Sequence, residues 1–507
     1  MKIEEMIAAN RADCCGCAAC ANICPKNAIT LTRDAEGFAY PKINPELCIK
    51  CGQCDATCLS LNFTEKILDT LPLVFTATYS NDKILRHSSS GGVFSALSEI
   101  ILNNGGVVFG AVFDKNWCVH HAVAKNLDEL ENMRSSKYVQ SQIGDVYRQV
   151  KDALNSSEVL FSGTPCQCVG LKNFLGKDYD NLLTVEVICH GTPSPALWEY
   201  YVGELGYAHD IANINFRSKR NGWGDGIYID INFYDKGHTI NKVPSDLYGR
   251  LFLRNVSLRP ACSSCKSRFP NGKADLSLGD AWGIKDFAPE MDDTRGVSIV
   301  FVHTAKGKDF FERANLKTKQ IKFTEPLKKN KLFISPTAAP SRREAFFAEL
   351  AKNPDWLLVM KKYYNDDKQE YRDETAEKIS STYKKKLKEI LVQIRKNFTQ
   401  NILIVSSICE KSEQKYLNDF FKPDTKPRGS YILQPKGEGQ FTCTENFSGA
   451  ISNLKDTAAL SDFVKKNKIK EVFVEEPLDF GDDFPLIDNW IRNCGLPVEL
   501  FTIGTRN

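Results

Sequence analysis

The sequence has 507 residues, of which 42% are hydrophobic and 25% charged, as in a globular protein. A chain of this length exceeds one ordinary core, so we expect several domains. Lys and Arg (66) nearly balance Asp and Glu (63), and the net charge of +3 gives no indication of nucleic acid as a partner. The sequence contains neither an apolar run of 18 residues nor the apolar stretch of a signal peptide at its start. We therefore expect a cytoplasmic protein without an integral membrane segment.

Cysteines are concentrated near the start of the sequence, where nine of the eighteen precede residue 59. Clustered cysteines in a reducing compartment indicate metal binding or redox chemistry rather than disulfides. The spacing C-x2-C-x2-C-x3-C occurs twice, first as Cys14, Cys17, Cys20 and Cys24 and then as Cys48, Cys51, Cys54 and Cys58. This repeat predicts a ferredoxin-type domain over residues 1–61 that holds two [4Fe–4S] clusters.

The fourth cysteine of each run is expected to bind the cluster held by the other run. The first cluster is then assigned to Cys14, Cys17, Cys20 and Cys58, and the second to Cys48, Cys51, Cys54 and Cys24. A pair of zinc knuckles is the alternative, but three close ligands with a remote fourth are unusual for zinc. Cys15 is an extra thiol that we do not expect to be a ligand.

Residues 62–350 alternate β-rich apolar runs with helical patterns, which predicts an α/β domain. Residues 158–163 and 182–188 read as buried strands, with a crossover helix between them, so the two strands should be parallel. Cys166 and Cys189 follow these strands and should lie at the carboxyl edge of the sheet, where such folds bind their ligands. Cys262 and Cys265 form a C-x2-C pair that could close over the same edge. Spacing alone leaves a third cluster, a zinc site and ordinary buried cysteines all open.

An ordered set of short motifs resembles the family of coenzyme F420 hydrogenase/dehydrogenase beta subunits over about residues 1–345. The set comprises Ser90-Gly91-Gly92, Lys137-Tyr138, Pro165-Cys166-Gln167, Cys189, Cys262-x2-Cys265, Ala274-Asp275, Gly279-Asp280-Ala281-Trp282-Gly283 and Gly296-x-Ser298. The resemblance implies FAD in the α/β domain, beside a [4Fe–4S] cluster held by Cys166, Cys189, Cys262 and Cys265. It also implies cofactor contacts at Ser90, Gly91, Gly92, Lys137, Tyr138, Gln167, Asp275, Gly279 and Ser298.

The serine- and glycine-rich turn before the predicted helix at Val93 agrees with a cofactor that carries a pyrophosphate. Free N–H groups at a helix N-terminus bind phosphate, although most such turns are only helix caps. Arg86 and Lys137 could add positive charge, although exposed basic residues are usually only solvated. His190 could donate a proton, but a structural role is more frequent for a histidine in this position.

Beyond residue 350, the charged segment 351–400 is predicted to be a helical linker, and 401–507 a small Rossmann-like α/β domain. Its predicted strands are 401–407, 472–477 and 498–503, and its predicted helices are 459–467 and 485–494. This domain resembles the soluble domain that precedes the catalytic part of bacterial polyprenyl-phosphate sugar transferases, without the parts that would imply transferase activity. We expect Cys409, Cys443 and Cys494 to be structural. The chain is therefore predicted to be a multidomain protein of α+β and α/β class.

The predicted function is that of an iron–sulfur flavoprotein oxidoreductase. It would pass electrons between a redox partner, such as ferredoxin or another redox subunit, and a flavin that exchanges hydride with a small molecule. The first alternative is a non-catalytic electron-transfer subunit of a larger complex, and the second is a zinc-bearing scaffold.

Overall fold

The computed structural model describes residues 2–66 and 71–365, apart from positions 209, 225, 236, 339 and 341. Beyond residue 400 it describes six strands and residues 462 and 465. The described residues divide into two compact units, one drawn from 1–66 with 72–382 and the other from 67–71 with 383–507. No described helix is both long and apolar enough to cross a lipid bilayer.

The strands, numbered in chain order, are β1 Ile29–Arg33, β2 Ala39–Ile43, β3 Leu73–Tyr79, β4 Val107–Phe113, β5 Val119–Ala124, β6 Val159–Gly163, β7 Leu182–Val187, β8 Ile211–Asn215, β9 Tyr228–Phe233, β10 Gly237–Lys242, β11 Leu276–Asp280, β12 Ser298–Val302, β13 Leu316–Ile321, β14 Asn401–Val405, β15 Ser430–Gly437, β16 Gln440–Glu445, β17 Ile451–Leu454, β18 Ile469–Glu475 and β19 Val498–Phe501.

The helices are α1 Ile3–Ala9, α2 Ala19–Ile23, α3 Gln53–Thr57, α4 Asp82–His87, α5 Val93–Asn103, α6 Leu127–Glu131, α7 Val146–Ala153, α8 Pro165–Leu175, α9 Pro195–Ala208, α10 Leu247–Leu253, α11 Ile284–Phe287, α12 Ala305–Arg313, α13 Thr324–Leu327, α14 Arg343–Lys352 and α15 Trp356–Asn365.

The first unit is built on an eight-stranded sheet with the order β13-β3-β12-β11-β7-β6-β4-β5. Its central strands β11, β7, β6 and β4 are parallel, and antiparallel pairs complete both sides. Helices cover both faces because the central strands are apolar on both sides: α5 and α12 contribute to one core cluster, and α7 and α8 to another. The parallel pairing of β6 with β7 confirms the predicted crossover.

The N-terminal cysteine repeat is visible in the backbone as well as in the sequence. In each run, the residue before the second cysteine and the residue after it have left-handed backbone conformations: Gly16 and Ala18 in the first run, Lys50 and Gly52 in the second. A short helix follows in each case, α2 and α3 respectively. The two loops therefore turn in the same way, as duplicated ligand loops should. The hairpin of β1 and β2 connects them.

A smaller antiparallel sheet, with the order β10-β9-β8, belongs to the first unit and was not predicted. Its strand β9 places Ile229 and Ile231 in a core cluster with Trp198 of α9. Helix α15 buries Val359 and Met360 in the same cluster. The compact unit therefore continues beyond residue 351, where the sequence predicted the start of a linker, because α15 has an apolar face to bury.

The second unit contains a six-stranded sheet with the order β17-β16-β15-β14-β18-β19. Strands β14, β18 and β19 coincide with the three strands predicted there, and β15, β14, β18 and β19 run parallel. The predicted helix within 485–494 and the linker helix over 366–400 lie outside the described residues, as does most of the predicted helix within 459–467. The fold is thus of mixed α/β class.

Candidate functional site

A group of cysteines lies at the carboxyl edge of the central strands. Cys166 stands on the first turn of α8, directly after β6, and Cys189 follows the end of β7 by two residues. Cys262 lies in the short 3-10 turn Pro260–Ser264, and Cys265 comes immediately after it. All four line one cavity of about 40 Å³. The fold therefore brings together four thiols that are far apart in the sequence. We name them the rim cysteines.

The burial of the rim cysteines makes free thiolates costly, so thiolates at this site need a positively charged centre to bind. Burial raises the pKa of Cys189, Cys262 and Cys265, and the neighbouring thiols raise it further. Irons of a cluster bind thiolates, so they would offset this cost. The backbone N–H of Thr192 already donates to Cys262 Sγ at 3.3 Å. Hydrogen bonds of this kind to cluster sulfurs tune iron–sulfur sites.

Among the described residues, no three His, Cys, Asp or Glu side chains converge as closely as a single metal ion requires. A cubane spreads its four thiolates around four irons, so a cluster does not need this close convergence.

Cys15 is a fifth thiol in the lining of the same cavity. It comes from the first N-terminal loop, and its thiol lies beside those of both Cys166 and Cys17. The sequence analysis identified Cys15 as an extra thiol, but it did not predict that this thiol lies beside the rim cysteines. The first N-terminal loop therefore lies directly against the rim cysteines.

The N-terminal cysteines approach one another across the repeat. Cys20 lies in electrostatic contact with Cys14 and Cys58, which belong to different runs. Cys54 of the second run is likewise close to Cys24 of the first. This proximity is what an exchanged fourth ligand requires, while the assignment of each cysteine to a cluster stays a prediction.

Arginine side chains attach the N-terminal region to the α/β part of the unit. Arg148 of α7 donates through Nη2 to the carbonyl of Cys24 at 2.8 Å and through Nε to that of Asn22 at 2.7 Å. Arg343 of α14 forms an ion pair with Glu36 in the β1–β2 turn. These contacts hold the cysteine loops in a fixed orientation over the sheet edge.

A larger cavity of about 400 Å³ opens at the same edge. Seven of the nine predicted cofactor contacts line it: Ser90, Gly92, Lys137, Tyr138, Gln167, Gly279 and Ser298. Apolar walls come from Phe252, Ile188 and Trp282. The volume and the mixture of apolar walls with a few polar groups are typical of cofactor pockets. The N-terminus of the eleven-residue helix α5 faces this space through Gly92 and Val93.

Several predicted contacts shape the cavity through bonds within the protein. Lys137 Nζ donates to the carbonyls of Asn132 and Arg134, and burial lowers the pKa of Lys137 to about 7. Gln167 Oε1 accepts from the backbone N–H of Thr164 at 3.0 Å, which caps the first turn of α8. Ser90 Oγ donates to the carbonyl of Val297 at 2.6 Å. These side chains hold the walls in place.

Two predicted contacts do not line the cavity. Asp275 precedes β11 and lies at the amino end of that strand, whereas Gly279 and Asp280 lie at its carboxyl end. Its carboxylate accepts from the backbone N–H and the hydroxyl of Thr184 at 2.8 and 2.7 Å. The structure therefore places Asp275 away from the larger cavity, where its carboxylate joins neighbouring strands, and a cofactor contact at this residue stays a prediction.

Gly91 is the second such residue, and its role is close packing. A Cβ at this position would lie 2.1 Å from the carbonyl oxygen of Ala77, and the Gly91 N–H donates to Ser298 Oγ at 2.9 Å. Only glycine allows the turn to approach β3 and β12 this closely. Gly91 thereby places Ser90 and Gly92 at the cavity.

The sequence analysis missed an ion pair in the wall of the larger cavity. Arg217 donates through Nη1 and Nη2 to the two carboxylate oxygens of Asp280 at 2.8 and 2.7 Å, and both side chains are at most 10% exposed. Arg217 Nη1 also donates to the hydroxyl of Tyr138 at 3.2 Å. Asp280 stood within a quoted motif, but no sequence signal distinguishes Arg217 from other arginines.

His190 and Arg86 fit the structural interpretations of the sequence better than the functional ones. A His190 ring nitrogen forms a hydrogen bond with Asn255 Oδ1 at 2.7 Å, and burial lowers the pKa of the ring to about 4. Arg86 is exposed, pairs with Asp82 and does not line the larger cavity.

The small cavity and the larger one share a wall, to which Cys189, Gly191 and Thr192 contribute. One cysteine thus borders both spaces. The arrangement can hold a metal cluster and a separate organic group next to each other.

Two family models match the chain. Residues 156–329 match the C terminus of the coenzyme F420 hydrogenase/dehydrogenase beta subunit, and residues 13–61 match a 4Fe-4S dicluster domain. Among curated proteins, one subunit of the F(420)H(2) dehydrogenase of Methanosarcina mazei is 25% identical over 181 residues. That match covers 33% of this chain and 49% of the relative, so the chain spans about half the length of the curated relative it matches.

Among solved structures, a chain of the F420-reducing [NiFe] hydrogenase complex from Methanosarcina barkeri is 17% identical, with a TM-score of 0.37. The match covers 53% of this chain and 93% of that one, and a score of this size does not establish a shared fold. The two family models carry the assignment. The protein is an iron–sulfur protein that is similar, over residues 156–329, to the C terminus of coenzyme F420 hydrogenase/dehydrogenase beta subunits.

Proposed function

We propose that the protein is an iron–sulfur flavoprotein oxidoreductase that connects a one-electron redox partner to a small molecule exchanging hydride. The observation that carries this proposal is the wall shared by the two cavities. When bound, iron–sulfur clusters carry single electrons, and a flavin exchanges either single electrons or hydride. Two such groups need to be neighbours, and Cys189 borders both spaces.

The residues of the larger cavity fit FAD. The N-terminus of α5 would bind the pyrophosphate through backbone N–H groups, next to Ser89 and Ser90. Phe252 and Trp282 offer flat apolar surfaces for a ring system. The tight pairing of Arg217 with Asp280 fixes the wall without presenting an unpaired charge to the ring.

The rim cysteines fit a third cluster in addition to the two of the N-terminal region. Their thiols come from three separate segments of the fold, and the backbone N–H of Thr192 directs a donor at one of the sulfurs. Cys168 is two residues from Cys166 but is completely buried in the core, against the carbonyl of Val185. Cys166 is therefore the proposed ligand.

The substrate is a small molecule that accepts or donates hydride, and coenzyme F420 is the first to test because the Methanosarcina mazei relative is named for it. That relative is also named as one subunit of a dehydrogenase. This favours the second candidate, an electron-transfer subunit that works within a larger complex in the cytoplasm.

Metal and flavin analysis of the anaerobically purified protein tests the proposal. We expect about twelve irons with matching acid-labile sulfide and one FAD per chain. About eight irons without flavin would contradict the oxidoreductase and leave the electron-transfer subunit. Stoichiometric zinc without iron would instead indicate the scaffold.

A pair of cysteine variants tests the rim site in the same assay. Cys166→Ser should lower the iron content by about four atoms per chain, because it removes one cluster ligand. Cys168→Ser is the matched control and should keep the full iron content. Equal iron contents in the two variants would contradict the assignment of Cys166.

A further inference from the structure

Arg259 is a buried arginine located between the two groups of cysteines. It is 1% exposed and directly precedes the turn that carries Cys262. Its Nε donates to the carbonyl of Cys14 at 2.8 Å, and its Nη2 lies 3.7 Å from Cys14 Sγ. One guanidinium thus connects the first N-terminal cysteine loop to the segment that holds a rim cysteine.

The other contacts of Arg259 are neutral. Its Nη1 donates to Gln140 Oε1 at 3.1 Å, its Nη2 donates to the carbonyl of Ala39 at 3.0 Å, and its guanidinium stands 4.3 Å from the centre of the Tyr40 ring. Within the described part of the chain, no carboxylate pairs with it. A buried positive charge is costly unless an anion compensates it. The nearby groups that can supply the anion are the cysteine thiolates.

The first cysteine loop is shaped to admit this guanidinium. Gly16 has a left-handed backbone, and a Cβ there would lie 2.7 Å from Arg259 Nη1. The neighbouring Cys15 lines the cavity of the rim cysteines, as Arg259 itself does, and lies beside Cys166. The first cysteine loop therefore meets the rim cysteines through two adjacent contacts, the Arg259 guanidinium at Gly16 and the thiol of Cys15.

We propose that Arg259 is a positioning residue that joins the Cys14 loop to the rim cysteines and, through its fixed charge, favours the reduced state of the cluster held by that loop. The proposal rests on the proposed function, because it requires clusters at both places. Reduction of a [4Fe–4S] cluster adds one electron from the redox partner and forms or breaks no bond. The added negative charge is stabilised by a buried cation that water does not screen.

Potentiometric titration of the full-length protein, followed by electron paramagnetic resonance, tests this role. In Arg259→Gln we expect the ratio of reduced to oxidised N-terminal cluster at a given potential to fall at least tenfold. For a one-electron couple this equals a midpoint lower by about 59 mV. Arg259→Lys keeps the charge, so its midpoint potential should shift by less than half as much as that of Arg259→Gln.

Arg11→Gln is the matched control. Arg11 also stands over the Tyr40 ring, at 5.7 Å from its centre, but its side chain is 62% exposed. Water and salt screen a charge in that position, so its loss should leave all the midpoints unchanged.

Gln140→Glu is a second test of the charge effect, to be used if Arg259→Gln loses iron. This isosteric change places a carboxylate on Arg259 Nη1 and keeps the guanidinium in place. We expect the same downward shift with the full iron content. Unchanged midpoints in a fully loaded Arg259→Gln or Gln140→Glu protein would overturn the inference, as would an equal shift in Arg259→Lys and Arg259→Gln. A wild-type protein without clusters would instead contradict the proposed function.

Discussion

Glu186 carries an ionisable side chain into the interior of the large sheet. It is 4% exposed, its Oε1 accepts from Ser277 Oγ at 2.7 Å, and its Oε2 has no hydrogen-bond partner. Burial raises the pKa of Glu186 to about 7. Because this folded-state pKa lies above the unfolded value, the neutral carboxyl is the form that the fold tolerates.

We expect Glu186→Gln to remove a pH-dependent loss of stability. In the wild type, the neutral Glu186 carboxyl contributes fully to the free energy of unfolding below about pH 4.5. This contribution is lost as the pH rises through about 7. Glutamine keeps the acceptor for Ser277 and never ionises. The variant should therefore match the wild type at pH 4.5 and be about 3 kcal/mol more stable at pH 8.

Thermal unfolding of both proteins under anaerobic conditions at pH 4.5, 6 and 8 measures the difference. Glu46→Gln changes an exposed side chain in the same way and should follow the wild type at every pH. A constant difference between Glu186→Gln and wild type across this range would contradict the assignment.

At the residue scale, functional residues could be predicted where their spacing in the sequence follows a motif. Residues that matter only through a partner distant in the sequence were missed. The eight N-terminal cysteines follow from their repeat, and Cys166 and Cys189 follow from strands that end at one edge. Arg259 and Arg217 have no such signal, since their partners lie far away in the chain: Cys14 precedes Arg259 by 245 residues. Asp275 stands within a quoted motif, yet its carboxylate accepts a hydrogen bond from Thr184 on the neighbouring strand and does not line the larger cavity.

At the element scale, the ion pair between Arg217 and Asp280 joins the smaller sheet to the larger one. Arg217 follows β8 by two residues, and Asp280 ends β11. Both partners are buried, so loss of one leaves the other charge uncompensated. We expect Asp280→Asn to cost about 3–5 kcal/mol of stability and to lower the amount of bound flavin.

Asp82→Asn is the control for this prediction, since it removes a carboxylate that pairs with Arg86 and Arg295 at the surface. Anaerobic thermal unfolding and released flavin should both stay at the wild-type values in this control. Similar losses in the two variants would show that burial is not what gives the Arg217 pair its importance.

Strands that are apolar on both faces could be predicted from the sequence. Elements whose formation depends on tertiary contacts could not. The run at 158–163 gave β6 and the run at 182–188 gave β7, because buried parallel strands are continuously hydrophobic. Strand β10 has mostly exposed residues, which leaves little periodic signal to detect. Helix α15 was included in a linker because its charged neighbours dominate the composition of that segment.

For the whole molecule, the position of the N-terminal region matters more than its fold. The sequence predicted a separate domain over residues 1–61, and the structure includes this region in the first compact unit. So short a segment buries little core of its own. It relies instead on contacts such as that of Arg148 with Cys24. The first cysteine loop meets the rim cysteines through Cys15, whereas Cys51 of the second loop is exposed.

The second cysteine loop is where we expect the redox partner to bind. Cys51 is the exposed cysteine among those that the structure describes in the first unit, and it is preceded by Leu47 and Ile49, which are 50% and 58% exposed. Electron exchange between proteins requires a short distance between their redox centres. An exposed cluster ligand with apolar neighbours lets a partner protein come this close. The centres of protein interfaces are poor in charged residues, so a carboxylate at this point should weaken the contact.

Ile49→Asp is therefore expected to lower the second-order rate of reduction by a reduced ferredoxin at least tenfold, which corresponds to about 1.4 kcal/mol. Reduction by dithionite, which needs no protein interface, should be unaffected. Leu358→Asp is the matched control, because Leu358 is 59% exposed on α15, far along the chain from the cysteine loops. Stopped-flow absorbance gives both rates. If Ile49→Asp and Leu358→Asp react equally fast with the protein donor, electrons enter the molecule elsewhere than at the second cysteine loop.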